Sequence, residues 1–224
     1  MNPPCPVCRH DRSRIFQDVG QRRYWRCQQC QATFLDPLQR PDSATEKSEY
    51  DRHQNDPADP GYRRFLNRLA TPLLDRLTPG SSGLDYGCGP GPALAAMLTQ
   101  AGHLMTLYDP IYFPDCQALE RQYDFISCTE VVEHFYDPAA EFERLDGLLR
   151  PGGWLGIMTR FQTDDARFAG WHYRRDPTHV VFYRAETMQW LIDRFGWDGE
   201  IFEPGIVLAQ KNGPPKRAID SEAS

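Results

Sequence analysis

Between Tyr62 and Leu77 the side chains Tyr62, Phe65, Leu66, Leu69, Leu73 and Leu77 recur at helical spacing, which predicts a helix that Pro72 should kink or divide. Beyond it, short apolar runs alternate with helical ones. The pattern predicts strands at 83–86, 104–109, 124–129 and 154–159, helices at 92–100, 138–149 and 185–195, and a closing strand pair at 198–203 and 206–211. Asp137 before Pro138 marks a helix start, and Gly102 and Gly196 mark helix ends. Such alternation is the pattern of an α/β fold with a largely parallel sheet. The stretch from Pro37 to Tyr62 lacks apolar periodicity and is dense in Asp, Pro, Ser and Arg, so a module boundary is expected there. The organisation read from this is a first module at 1–40, a linker at 41–61, an α/β domain at 62–212 and a disordered tail at 213–224. No internal repeat is found.

Composition narrows the class. A chain of 224 residues has room for one ordinary domain and a small appendage, and 40% hydrophobic residues suffice for a core. The apolar runs are too short to cross a bilayer, and residues 1–6 do not read as a secretory signal, so a cytoplasmic location without membrane contact is expected. Residues 1–40 carry seven arginines against three aspartates, or +4, which leaves −10 of the −6 total for the rest.

Cys5-x2-Cys8 and Cys27-x2-Cys30, eighteen residues apart, have the spacing of two knuckles that close around one Zn²⁺. The intervening Ile15, Phe16, Tyr24 and Trp25 suit a small hairpin that cannot bury enough surface without a metal, so the module is read as a zinc ribbon. Four thiolates leave no open position for water, which makes the site structural. They also bring the ribbon from +4 to +2, weakening any argument from charge to nucleic acid. Arg22, Arg23, Tyr24, Trp25 and Arg26 are the residue types that contact RNA, although a packing and docking role is favoured. Cys88, Cys116 and Cys128 are expected to be buried small residues.

The segment Gly83-Leu84-Asp85-Tyr86-Gly87-Cys88-Gly89-Pro90-Gly91 puts a glycine-rich turn between a strand and a helix, where a ligand can approach the backbone. A dinucleotide fingerprint would need Gly or Ala where Pro92 stands, and a phosphate loop would need Gly-Lys-Ser/Thr; both fail. With Asp109 ending the next strand, the turn resembles the first motif of class I S-adenosylmethionine-dependent methyltransferases. Tyr123-Asp124-Phe125-Ile126 running into Glu130-Val131-Val132-Glu133-His134, and Leu148-Leu149-Arg150-Pro151-Gly152-Gly153, extend the resemblance, particularly to the small-molecule branch related to quinone methylases. It covers about residues 62 to 211.

The resemblance implies a Rossmann-like class I methyltransferase sheet with helices on both faces, and S-adenosylmethionine as methyl donor. It places Asp85, Gly87, Gly89, Gly91 and Asp109 around the donor, with Asp109 accepting both ribose hydroxyls, Asp85 near the methionine amino group, and Tyr108, Ile111 and Tyr112 flanking the adenine; Glu130 joins this set. The thirteen residues between Asp109 and Tyr123 are too few for a helix, a strand and loops, so the third strand is expected to be very short, with Asp115 the nearest acid to the adenine amino group.

Ligands of open α/β sheets bind at the carboxyl ends of strands, which singles out Glu130, Glu133 and His134, and the aromatic, His- and Arg-rich loop from Arg160 to Val180. Catalytic candidates are His179, a general base by its near-neutral pKa and its matching place in related methylases, with Asp176 and His134. A metal site from His172, Asp176 and His179 is disfavoured because Pro177 argues against a helix. Two further readings stay open: an RNA methyltransferase whose ribbon holds the substrate, and a non-catalytic scaffold whose ribbon binds protein.

Overall fold

A computed structural model describes residues 2–52, 56–202 and 204–213 of the chain. The N-terminal segment forms a hairpin, β1 (Ser13–Val19) and β2 (Arg22–Cys27), followed by β3 (Thr33–Leu35). Then come α1 (Ser43–Tyr50), α2 (Pro60–Leu74), β4 (Ser82–Tyr86), α3 (Ala93–Gln100), β5 (Leu104–Tyr108), β6 (Tyr123–Thr129), α4 (Pro138–Leu148) and β7 (Leu149–Met158). The chain continues through α5 (His172–Arg175), β8 (Val181–Phe182), α6 (Ala185–Phe195), β9 (Asp198–Phe202) and β10 (Ile206–Gln210). Glu203, expected to end β9, and 214–224 of the expected tail lie outside the described residues.

The main sheet has the order β5-β4-β6-β7-β10-β9. β4 pairs in parallel with β5 and β6, and β6 with β7, while β10 runs antiparallel between β7 and β9. Its pleat sends alternate side chains to two cores. Phe125, Met158, Ile206 and Leu208 meet Leu66, Leu69 and Leu73 of α2 and Leu94 and Leu98 of α3. Ile126, Cys128, Leu155, Ile157, Val207 and Ala209 meet Phe142 and Leu145 of α4 and Leu191 and Ile192 of α6. Helices thus cover both faces, and each fully buried Leu or Phe contributes roughly 1.5–3 kcal/mol.

Four expectations need correcting. Residues 41–61 are not simply a linker: α1 forms there, started by Asp42, whose side chain accepts from Thr45 N at 2.8 Å. None of its residues is buried, which is why apolar periodicity did not show it. Between Asp109 and Tyr123 there is no third strand; an isolated bridge (Asp109–Phe113) and a single 3₁₀ turn, Cys116–Leu119, fill the gap, and Cys116 is exposed. Finally, Pro72 does not divide α2: it sits in the last turn, so the bond it withholds from Arg68 O is among the helix's last, and the helix ends at Leu74.

The ribbon is not a separate appendage. β1-β2-β3 forms one sheet with β8, Thr33 pairing with Phe182 and Phe34 with Val181, and Leu35 N donates to Val180 O at 2.9 Å. Tyr24, Trp25, Phe34 and Leu35 share a continuous core with the helices and main sheet. Arg26, 3% exposed, donates to Thr33 and to Asp165 at 2.8 Å, and Arg9 pairs with Asp137 at 2.5 Å. Since Tyr24 and Trp25 are buried too, three of the five residues typed for RNA contact serve packing instead. Among the described residues no helix is long and apolar enough to cross a membrane.

Candidate active site

A cavity of about 1100 Å³ opens over the carboxyl ends of β4, β5 and β6, with α1 along one side. Its floor is the glycine turn. Gly87 takes a left-handed φ of +74° and a Cβ there would lie 2.6 Å from both Val131 methyls, so only glycine fits. Gly87 N and Cys88 N donate to Tyr108 O at 2.7 and 3.2 Å, fastening the turn to β5. Asp109 completes the clamp: one carboxylate oxygen accepts from Gly89 N at 3.0 Å, the other from Ile111 N at 2.8 Å and Tyr112 N at 3.0 Å. Each oxygen has two lone pairs, so the one facing Gly89 N keeps a place for one hydroxyl donor, while the other already accepts twice.

Gly87, Gly89, Tyr108, Asp109, Ile111, Tyr112 and Glu130 all line this cavity. Asp85 and Gly91 do not. Asp85 is buried beneath the turn, where it accepts from Ser127 Oγ at 2.7 Å, and burial pushes its carboxyl up to about 6. Its position suits bracing the turn and the start of α3 rather than touching a ligand.

The opposite end gathers His134, His172, Tyr173, Asp176 and His179 with Glu46 and Tyr50 of α1. His134 Nδ1 bonds Thr178 O at 3.1 Å and His179 Nδ1 bonds Tyr173 O at 2.7 Å. Carbonyls only accept, so both protons sit on Nδ1, and in the neutral rings the lone pair belongs to Nε2. The rings stand 4.7 Å apart, and His179 Nε2 lies 3.9 Å from Asp176. Asp176 also accepts from Thr178 N at 2.8 Å and Thr178 Oγ1 at 2.6 Å, which braces the loop and is held below the usual carboxylate range despite burial.

Glu133, not singled out beyond its place at a strand end, is the most buried acid here. It accepts from Thr159 Oγ1 at 3.0 Å and from the Tyr173 hydroxyl, and burial followed by repulsion from Glu130 pushes it up to about 8. Glu130 holds a φ of +53°, uncommon for a residue with a Cβ, and burial raises it to about 7. Ligand atoms of Glu133, His134 and His179 lie within 4.8 Å of one another, a donor set that suits a divalent cation; His172 is not part of it. Sequence reasoning missed Tyr50 and Glu46, and it placed Tyr173 in the acceptor loop without its contact to Glu133; for α1 the usable signal was Asp42 as a helix start with Lys47 and Asp51 paired at i, i+4.

The four ribbon cysteines also converge. Cys5 and Cys30 Sγ are 3.6 Å apart and Cys8 and Cys27 Sγ 3.4 Å, near the edge of about 3.8 Å that a tetrahedral Zn–S length of about 2.3 Å implies and far beyond a disulfide.

Residues 50–200 match the family model described as a methyltransferase domain. A ubiquinone biosynthesis O-methyltransferase of Aeromonas salmonicida (strain A449) is 28% identical over 123 residues, 42% of this chain and 52% of its own. Its counterpart in Paracidovorax citrulli (strain AAC00-1) is 29% identical over 121 residues, 42% and 50%. The chain spans about half the length of the curated relatives it matches. Among solved structures, the fold is shared with magnesium protoporphyrin IX methyltransferase of Synechocystis PCC 6803 (TM-score 0.53, 15% identity, 75% of this chain and 95% of that one). It is also shared with Burkholderia thailandensis 1,6-didemethyltoxoflavin-N1-methyltransferase (TM-score 0.51, 15% identity, 88% and 98%). The match over residues 50–200, on a sheet whose glycine turn and Asp109 meet over one cavity, shows that the chain belongs to the methyltransferase domain family.

Proposed function

We propose that the protein moves the methyl group of S-adenosylmethionine to a small metabolite, with a zinc ion held by Cys5, Cys8, Cys27 and Cys30 fastening the acceptor side. The observation that carries this is the single cavity with the glycine turn and Asp109 at one end and His134, Asp176 and His179 at the other. Both solved relatives contain bound S-adenosylhomocysteine, the demethylated donor, which supports the choice of donor.

The bound sulfonium supplies an electrophilic methyl carbon: the new bond forms from the acceptor atom as the C–S bond breaks, and its electron pair returns to sulfur. Asp109 holds the ribose, and the glycine turn leaves room for the nucleoside arm. Tyr50 and the 171–179 segment shape the acceptor end and keep water out. Relatives named for O-methylation favour a hydroxyl acceptor over N or C. Its proton must then leave, and His179 Nε2, anchored through Nδ1 and facing Asp176, is the group to take it, with His134 alongside. A cation on Glu133, His134 and His179 would instead lower the hydroxyl's own pKa, the second route this donor set permits.

Calorimetry of the full, zinc-loaded chain with S-adenosylhomocysteine, followed by a screen of phenolic and other small acceptors, tests the reading. Micromolar binding and methyl transfer that drops at least about a hundredfold in His179→Ala are expected. No heat with either donor or product removes the enzyme reading.

A further inference from the structure

The adenine of a bound donor lacks an acidic partner where the sequence suggested one. Asp115 is exposed, accepts from Gln117 N at 2.9 Å within its own turn, and is absent from the cavity wall. The segment that would carry a third strand and its helix is reduced to the Cys116–Leu119 turn. The face of β4 and β5 that looks toward α4 is therefore open at its upper end, and the cavity runs into that space between Tyr86, Tyr108, Phe135, Glu141 and Arg144.

This arm is built to a definite shape. Tyr86 and Tyr108 are register partners on β4 and β5 with ring centroids 5.1 Å apart, giving an aromatic wall. Glu141 reaches it from the first turn of α4 and accepts from the Tyr86 hydroxyl and from Arg144 at 2.8 Å; Arg144 also donates to Tyr86 Oη at 3.1 Å. Two donors thus fix the carboxylate at the cavity edge, with lone pairs left over. In the nucleoside, base and sulfur leave the ribose from opposite carbons. With the ribose on Asp109 and the sulfur turned toward His134 and His179, the base is directed to the Tyr108 side.

We propose that Glu141 reads the 6-amino group of adenine, in place of the acid that the shortened 110–122 segment does not supply, with Arg144 and Tyr86 as its positioning residues. The inference rests on the methyl-donor reading above. An amino group offers only hydrogens at this edge, so a carboxylate selects it, and a 6-oxo base presents an oxygen that the same carboxylate repels. Specificity for the donor's base is then a property of α4, on the far side of β6 in the chain, rather than of the loop after β5.

The test uses the full chain and three ligands differing at one position: S-adenosylhomocysteine, its 6-hydrogen analogue and S-inosylhomocysteine, which is 6-oxo. Wild-type protein is expected to bind them in that order, with at least about tenfold between the first and last. Glu141→Ala should narrow that ratio to within about threefold, losing affinity for the amino ligand and none for the oxo ligand. Glu141→Gln, which keeps the shape of the side chain and brings an amide donor, should improve binding of the oxo ligand and guards against a folding defect in the alanine variant. Equal binding of all three ligands by wild type, or an unchanged ratio in both variants, overturns the assignment. Failure of S-adenosylhomocysteine to bind wild type at all strikes the methyl-donor reading itself, a different result from bound ligand without discrimination.

Discussion

The two ends of the cavity are made in different ways. The end proposed for the donor has a floor of residues close together in the chain, 87–90 and 108–112, hung on adjacent parallel strands and closed by Asp109 across the Gly89 amide. The end proposed for the acceptor comes from α1, the turn after β6, the 171–179 segment and, behind them, the N-terminal strands. What joins these pieces is backbone pairing of β3 with β8 and Val180 N to Glu133 O at 2.9 Å. One end therefore depends on local chain geometry, the other on contacts that span most of the sequence. Perturbations should separate them.

Removing the proposed zinc ion should have the largest effect. Structural zinc sites of this kind contribute about 10–16 kcal/mol of apparent folding energy to small modules. Stripping the ion with a chelator, or Cys27→Ser, is expected to free β3 and expose β8. Hydrogen exchange should then accelerate over 178–183 while S-adenosylhomocysteine affinity changes by less than about threefold. Equal loss at both ends would mean that the ribbon supports the whole domain rather than the acceptor wall.

Gly87→Ala should do the reverse. The new Cβ meets two methyls of Val131 at 2.6 Å on a backbone with φ +74°, costing roughly 2–4 kcal/mol from strain and overpacking together. A loss of donor affinity of at least about tenfold is expected, with exchange at 178–183 unchanged. Adding Val131→Ala should recover the steric part and leave the backbone part, since that portion belongs to φ alone.

This division also explains what could be read from the chain. The cysteine spacing, the glycine turn and the strand–helix alternation are local patterns with direct chemical meaning; they pointed to the cysteine cluster, to the cavity floor and to the fold class. The β3–β8 pair was not legible, because β8 is two residues long and its partner lies about 150 positions away. Nor was α1, whose polar surface carries no buried stripe, nor the Glu133–Tyr173–Thr159 contacts, which join three segments. The missing third strand was half legible: the count of residues showed the shortage, but not that Glu141 would stand beside the space left behind.

A smaller effect, on pH dependence, comes from beneath the donor end. Asp85 is buried and its folded-state pKa, about 6, exceeds the ordinary value of 3.8, so the folded protein holds this proton more tightly than the unfolded chain. The contribution to stability is then fully present below about pH 3.8 and lost as pH rises through about 6, amounting to about 2–3 kcal/mol. Asp85→Asn, which keeps an oxygen for Ser127 Oγ, should flatten that segment of the curve of melting temperature against pH. A slope unchanged between pH 4 and 6 would assign it to other groups.

The smallest effect probes a link that crosses between the two ends. Tyr112, on the donor wall, donates from its hydroxyl to Asp51 at 2.7 Å, and Lys47 lies 5.7 Å from the centre of its ring, so the last turn of α1 rests on the loop after β5. The contact is exposed, where such bonds exchange readily with water. Tyr112→Phe keeps the ring and removes only the hydroxyl. Because α1 also leans on the acceptor side through Tyr50 against His134, at 5.2 Å between centroids, losing the Tyr112 bond should loosen one end of the helix without releasing it. Exchange over 43–50 is expected to rise, and the acceptor's KM to move by less than about threefold with kcat unchanged. A large fall in kcat would show instead that α1 transmits the state of the donor end to the acceptor end, and the two would have to be treated as one cooperative unit.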